Sequence, residues 1–160
     1  LTEVLRAAAE HPGTALVEIY QNCNIFNDGA FEALKDKDRA EEAVIRLEHG
    51  RPIRFGAGLD KAVVRDPATG ELAVVTDTDE NESRVLVHDA HAASPATAFA
   101  LSRLADPDTL HRTPIGVFRS VERPVYDTLM ADQLDAAHEL HGKGDLAALL
   151  AGNDTWTVAG

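Results

Sequence analysis

The stretch His11-Pro12-Gly13-Thr14-Ala15-Leu16-Val17-Glu18-Ile19-Tyr20-Gln21-Asn22-Cys23-Asn24 decides how the rest of the chain is read. Ala15, Leu16 and Val17 form a nearly continuous apolar run. That predicts a strand over residues 14–20 buried on both faces, as in a parallel sheet. Before it, Val4, Leu5, Ala8 and Ala9 share one face of a helix over residues 1–10, with Thr2 as its N-cap. Pro12 and Gly13 stop that helix. A helix, a short turn and a buried strand make half of a βαβ unit, so this segment reads as the tail of an α/β domain. The polar loop 21–29 then leaves the C-terminal end of the strand, the edge where open α/β sheets bind ligands.

Composition narrows the classes of function. The chain has 160 residues, with 15 Lys+Arg against 27 Asp+Glu and a formal charge of −12. Nonspecific nucleic-acid binding needs Lys and Arg to displace counterions, and docking on an anionic membrane needs them too. Neither partner is expected. A single Cys excludes an internal disulfide framework and a zinc site built only from Cys. No apolar run approaches a membrane span of roughly 20 residues, and no signal peptide is visible. These features favour a reducing, cytoplasmic setting. The chain opens on Leu1 and its one Met is Met130, which suggests a processed product or a piece of a longer protein.

Downstream, residues 31–37 predict a short helix. Residues 44–47 and 53–55 flank Gly50 and predict a hairpin. Residues 62–65 and 71–75 flank Asp66-Pro67-Ala68-Thr69-Gly70, a second and clearer hairpin. Residues 85–87 are a short third element. Ser94-Pro95 opens a helix running to about Leu104. Residues 115–118 are extended. Pro124 opens a longer helix ending near Gly142, and residues 145–150 form a last short one. The expected class is α+β.

Several constellations suggest chemistry. Asp77, Asp79 and Asn81 imitate a calcium loop, but position six is Glu82 rather than Gly and position twelve is His88 rather than Glu. A solvated acidic turn is the better reading. His88 with His91, and His138 with His141, have a spacing that shares a helix face, yet no third metal ligand is specified. Gly56-Ala57-Gly58 lacks the rest of a phosphate-binding loop. Cys23 is the most informative residue. Taken alone it is a half-buried inert thiol, a nucleophile lacking an identified base, or one metal ligand lacking three others.

The stretch Val17-Glu18-Ile19-Tyr20-Gln21-Asn22-Cys23-Asn24-Ile25-Phe26-Asn27-Asp28-Gly29-Ala30-Phe31 resembles the β subunit of 2-oxoacid:ferredoxin oxidoreductases, most closely the 2-oxoglutarate type. Ile45-Arg46-Leu47-Glu48-His49-Gly50-Arg51-Pro52-Ile53-Arg54-Phe55-Gly56 agrees with it. So do Pro114-Ile115-Gly116-Val117-Phe118-Arg119, Arg123-Pro124-Val125-Tyr126-Asp127 and the ending Asp154-Thr155-Trp156-Thr157-Val158. Residues 60–110 match less distinctively. The resemblance implies an enzyme with thiamine diphosphate, Mg²⁺ and a [4Fe–4S] cluster. It would convert a 2-oxoacid, with coenzyme A, to acyl-CoA and CO₂, and pass electrons through the cluster to ferredoxin. Its partner would be the α subunit of the same enzyme.

In that family Cys23, followed by Phe26 and Asn27, matches the fourth cluster ligand. The metal ligand implied here is therefore Cys23, and the cofactor-binding residues are Cys23 and Asn24. Many relatives carry Pro where this chain has Asn22. Asn22 and Asn24 are expected to donate to cluster sulfurs. The other cluster cysteines and the Gly-Asp-Gly segment for diphosphate and Mg²⁺ are absent, so no catalytic residue is assigned and the chain alone is expected to be inactive. Residues 1–24 correspond to the tail of the thiamine-diphosphate-binding domain and 25–160 to the C-terminal domain of the β subunit. Arg51, Arg54, Arg119 and Arg123 are candidates for a partner or an anionic ligand, against a structural or solvated reading. The rival reading of the whole is an acidic α+β interaction domain with no redox role.

Overall fold

The computed structural model describes residues 1–158 and 160, and of residue 38 its backbone. The chain divides into two units, Leu1–Glu122 and Arg123–Gly160. The fold is α+β, as the sequence predicts, with one parallel and one antiparallel sheet.

The first unit begins with helix α1 (Thr2–Glu10). Its N-cap is Leu1 without a side-chain bond, so Thr2 lies one position too far along to cap it. The predicted strand at 14–20 is not a strand, and Leu16 is 96% exposed. A strand is defined by its ladder, and no neighbouring strand pairs with this segment among the described residues. The apolar run is present; the sheet that would bury it is not. Two short helices follow, α2 (Glu32–Lys35) and α3 (Lys37–Ala43), where one was expected. Asp36 separates them by accepting the Arg39 N–H at its side-chain oxygen (3.1 Å), an N-cap bond.

Among the described residues five strands build the core: β1 (Val44–Leu47), β2 (Arg54–Phe55), β3 (Lys61–Arg65), β4 (Leu72–Thr76) and β5 (Thr113–Gly116). The expected hairpin around Gly50 does not form. β1 pairs in parallel with β5, Val44 opposite Thr113 and Leu47 opposite Gly116, while β2 pairs antiparallel with β3. β1 is buried at three of four positions, so it takes a neighbour from far along the chain instead of folding back locally. The second hairpin forms as predicted, with Val63 opposite Val74. Its turn is held by Asp66, whose Oδ1 accepts from the Ala68 and Thr69 N–H groups (2.7 and 3.0 Å), while Gly70 supplies φ +75°. Residues 85–87 contact the sheet through single bridges from Val85 to Val64 and from Val87 to Pro52.

Ile45, Leu47, Ile53, Phe55, Val63 and Leu101 form the buried cluster. Leu101 reaches it from helix α4 (Ala96–Ser102), where the Ser94 hydroxyl accepts the Ala96 N–H (3.3 Å). Burying several such side chains contributes about 1.5–3 kcal/mol each. Arg54 binds Asp77 at 2.6 Å and also Glu82, tying β2 to the acidic turn after β4. The second unit holds helices α5 (Tyr126–His141) and α6 (Leu146–Ala151). α5 ends at Gly142, and Asp145 caps α6 by accepting the Ala148 N–H (3.0 Å). No helix among the described residues is long and apolar enough to cross a membrane.

Candidate functional site

The loop carrying Cys23 is closed at its base by two aromatic residues and inside by one amide. The Tyr20 and Phe31 rings stack with centroids 5.0 Å apart. Burial pushes the Tyr20 phenol up, and Glu18 adds to that. Asn22 accepts the Gly29 N–H (2.8 Å) at Oδ1. Its Nδ2 donates to Asn24 Oδ1 and Asp28 Oδ1, both at 2.9 Å. The main chain turns tightly, with the Asn27 N–H donating to the Cys23 carbonyl (2.9 Å). Gln21, Asn22, Cys23, Asn24 and Ile25 line a shallow surface depression.

This turn shapes the chemistry of the sulfur. Hydrogen bonds from the Phe26 and Ile25 backbone N–H groups hold the Cys23 thiol below its ordinary value, with Asn27 adding to them and partial burial opposing. N–H groups converging on sulfur favour the thiolate, the form that ligates metals and attacks electrophiles. Cys23 is half-buried and unpaired. Among the described residues no three His, Cys, Asp or Glu side chains could hold a metal ion together.

The remaining candidates fall into place around this picture. Both Asn22 amide hydrogens are spent within the loop, so Asn22 is a clamp and not a donor to sulfur. Asn24 gives its oxygen to that clamp, so its Nδ2 is the amide group not used in that bond. The sequence did not announce this clamp, because it arises from side-chain bonds across seven residues. His88 and His91 do not share a helix. His88 is 1% exposed, with Nε2 donating to the Val117 carbonyl (2.8 Å), and His91 Nδ1 donates to the Ser120 carbonyl (2.7 Å). Arg54 is committed to Asp77 and Glu82, which raise its pKa further, the Asp77 hydrogen bond foremost. Arg119 donates to the Ala92 and Ala93 carbonyls (3.3 and 2.8 Å). Those two arginines are structural, whereas Arg51 and Arg123 are exposed. Asp77 pairs with Arg54, and Asn81 Nδ2 donates to the Thr76 carbonyl, so the acidic series is a braced turn and not a calcium loop.

Comparison with known proteins adds one relative. The chain is 51% identical, over 160 residues and 99% of its length, to the 2-oxoglutarate oxidoreductase subunit KorB of Mycobacterium tuberculosis. It spans 42% of that protein's length. No family model matches the chain, and no solved structure does. The resemblance to a 2-oxoglutarate-type β subunit is borne out by this match.

Proposed function

The chain is related in sequence, end to end, to a 2-oxoglutarate oxidoreductase subunit, and from that premise we propose that it is the C-terminal part of the β subunit of a 2-oxoglutarate:ferredoxin oxidoreductase. The proposed reaction is oxidative decarboxylation of 2-oxoglutarate, with coenzyme A, to acyl-CoA and CO₂. Electrons leave through a [4Fe–4S] cluster to ferredoxin, in the cytoplasm. The partner is the α subunit of the same enzyme. Residues 1–24 are assigned to the tail of the thiamine-diphosphate-binding domain and 25–160 to the C-terminal domain of the β subunit.

The identity over 99% of the chain carries this reading, and the Cys23 turn supports it locally. Backbone N–H groups around the sulfur fit one corner of an iron–sulfur cluster, where hydrogen bonds to sulfur and exposure set the potential. The other three thiolates, and the groups for thiamine diphosphate and Mg²⁺, are not among these residues. When bound, the cluster supplies one-electron transfer and thiamine diphosphate an electron sink for the carbanion. The residues of this chain do something simpler. Cys23 offers a thiolate, the Ile25 and Phe26 N–H groups favour its negative charge, and Asn22 holds the loop closed. Asn24 Nδ2 is assigned as a donor towards the cluster edge.

Cys23→Ala in the assembled enzyme tests the reading. Iron content and 2-oxoglutarate-dependent ferredoxin reduction should fall together, with thiamine diphosphate retained. Unchanged iron overturns the ligand assignment. For the chain alone, thiamine diphosphate with Mg²⁺ should leave the melting temperature unmoved, and a clear upward shift overturns its incompleteness.

A further inference from the structure

β1 and β5 are parallel, so the segments that follow them leave the sheet at one edge. The turn after β1 contains Glu48, His49, Gly50 and Arg51, and the extension of β5 runs through Val117 to Ser120. Residues 88–93 lie across both. The His88 N–H donates to the Arg51 carbonyl (2.9 Å), the Gly50 N–H to the His88 carbonyl (2.8 Å) and the Ser120 N–H to the Ala90 carbonyl (2.7 Å). One further link ends on a titratable acceptor: the Ala90 N–H donates to His49 Nδ1 (3.2 Å).

We propose that His49 is a proton-operated latch, holding the 88–93 loop to the turn after β1 while its imidazole is neutral and releasing the Ala90 amide when it is charged. Donor and acceptor identity requires this. An amide N–H can only donate, so His49 Nδ1 must present a lone pair, and the neutral ring carries its proton on Nε2. A proton taken from solvent at Nδ1 removes that acceptor and sets two donors against each other. Asp89 Oδ1, 3.6 Å from the same nitrogen, is placed to take the new N–H. The exchange replaces a part-buried amide bond with an ion pair whose side chains are 52% and 60% exposed, and such pairs hold weakly.

The neighbouring imidazoles do not switch in this way. His88 and His91 bond carbonyls through ring nitrogens that donate, so neither serves as an acceptor for a loop amide as His49 does. From the loop, Asp89 and His91 face His49, the first at 3.6 Å and the second ring to ring, while Glu48 and Arg51 flank it in its own turn. The His49 and His91 rings meet edge-on with centroids 4.4 Å apart.

Hydrogen exchange of the Ala90 amide in the 160-residue chain, expressed as protection over the intrinsic rate, tests the latch between about pH 8 and about pH 5, the range in which imidazoles ordinarily titrate. Protection should fall by roughly five- to tenfold as pH drops, as expected for losing one hydrogen bond. His49→Asn places a non-titrating oxygen near the Nδ1 position and should keep Ala90 protected throughout. His49→Ala should show the reduced protection at both ends, and His91→Phe should retain the fall. Constant protection in the unsubstituted chain overturns the proposal, as does a fall that persists in His49→Asn or vanishes in His91→Phe. The Val63 amide, bonded to the Ile53 carbonyl in the core, is the internal reference. A fall shared by Val63 is general loosening and overturns the latch.

Discussion

Tyr20 and Phe31 stack with their rings 7° from parallel, which brings together the two ends of the loop that carries Cys23. Ten residues separate the pair in sequence, and everything that shapes the sulfur lies between them. The stack therefore acts on the thiol indirectly, by limiting how far the Ile25 and Phe26 N–H groups can drift from it.

Phe31→Ala removes the stack. An aromatic pair contributes about 0.5–1.5 kcal/mol beyond the area it buries. Chemical denaturation should show a loss near that size, and the Cys23 thiol should move up towards a free thiol. Phe31→Tyr keeps the ring and should preserve both properties. A Phe31→Ala chain whose thiol titrates unchanged would show that the turn holds without its base.

Asn22 predicts a sharper split. Asn22→Ala removes three hydrogen bonds, to Gly29, Asn24 and Asp28, without touching the sulfur. The pH profile of Cys23 alkylation by iodoacetamide reports the thiolate fraction. In the unsubstituted chain that profile should lie below that of a free thiol, because N–H groups favour the charged form. Asn22→Ala should shift it upward while the melting of the core stays close to its original temperature. Coincident profiles for the two proteins would mean that the loop needs no clamp.

Acid should weaken two turns of the first unit by the same mechanism. N–H groups of Thr69 and Ala68 hold the Asp66 carboxyl below its ordinary value. The Thr109 N–H and hydroxyl, and then the Asp108 N–H, do so for Asp106. A carboxyl depressed in the folded state contributes stability above its unfolded pKa of about 3.9 and loses that contribution as pH falls through the folded value. Both carboxyls are only partly buried, so solvent screens them and the effect is modest. Asp66→Asn and Asp106→Asn should each be slightly less stable near neutral pH and show a flatter decline below about pH 4. An acid limb as steep as that of the unsubstituted chain would remove these turns from its cause.

What was legible in the sequence follows the range of the interactions. The Asp66–Gly70 turn was legible because its chemistry is local: Asp66 bonds residues two and three positions on, and Gly70 takes φ > 0. The start of α4 was legible to within one residue: Ser94 was read as its N-cap, and that place falls to Pro95, with the Ser94 hydroxyl accepting the Ala96 N–H just outside it. The pairing of β1 with β5 was not legible, since Val44 and Thr113 announce nothing about each other and a hairpin at Gly50 was the nearer solution. The apolar run at 14–20 shows the limit from the other side. Its composition asks for a parallel sheet, and pairing strands are not among the described residues. At the candidate site the resemblance singled out Cys23 and its loop. The Asn22 clamp and the His49–Ala90 bond were not legible, because side-chain bonds leave no periodicity.

His88 is the ring beneath the shared edge of β1 and β5, 1% exposed, with its Nε2–H given to the Val117 carbonyl. His88→Ala would open a cavity and leave that carbonyl without its donor. Truncating a buried ring costs about 3–5 kcal/mol, which is a large share of a domain's net stability. His88→Gln can return a donor near the Nε2 position and should recover part of the loss, whereas His88→Leu fills space without a donor and should recover less. Equal recovery by Gln and Leu would assign the position to packing alone.

One residue before Val117 the two strands approach each other closely. Gly116 closes β5 opposite Leu47 with φ +126°, where side chains are strained. A Cβ there would stand 2.6 Å from the Leu47 carbonyl oxygen, a backbone atom that cannot swing aside. Gly116→Ala must therefore either break the register at the end of the pair or push β1 away from the buried cluster that holds Ile45 and Leu47. Strain and clash together should cost about 3 kcal/mol. Gly50→Ala is the matched control. It also has positive φ (+74°) but meets no atom within 4 Å, so it carries the backbone strain without the clash. Thermal denaturation should place Gly116→Ala well below Gly50→Ala. Similar melting temperatures for the two would mean that the parallel pair has room which its geometry denies.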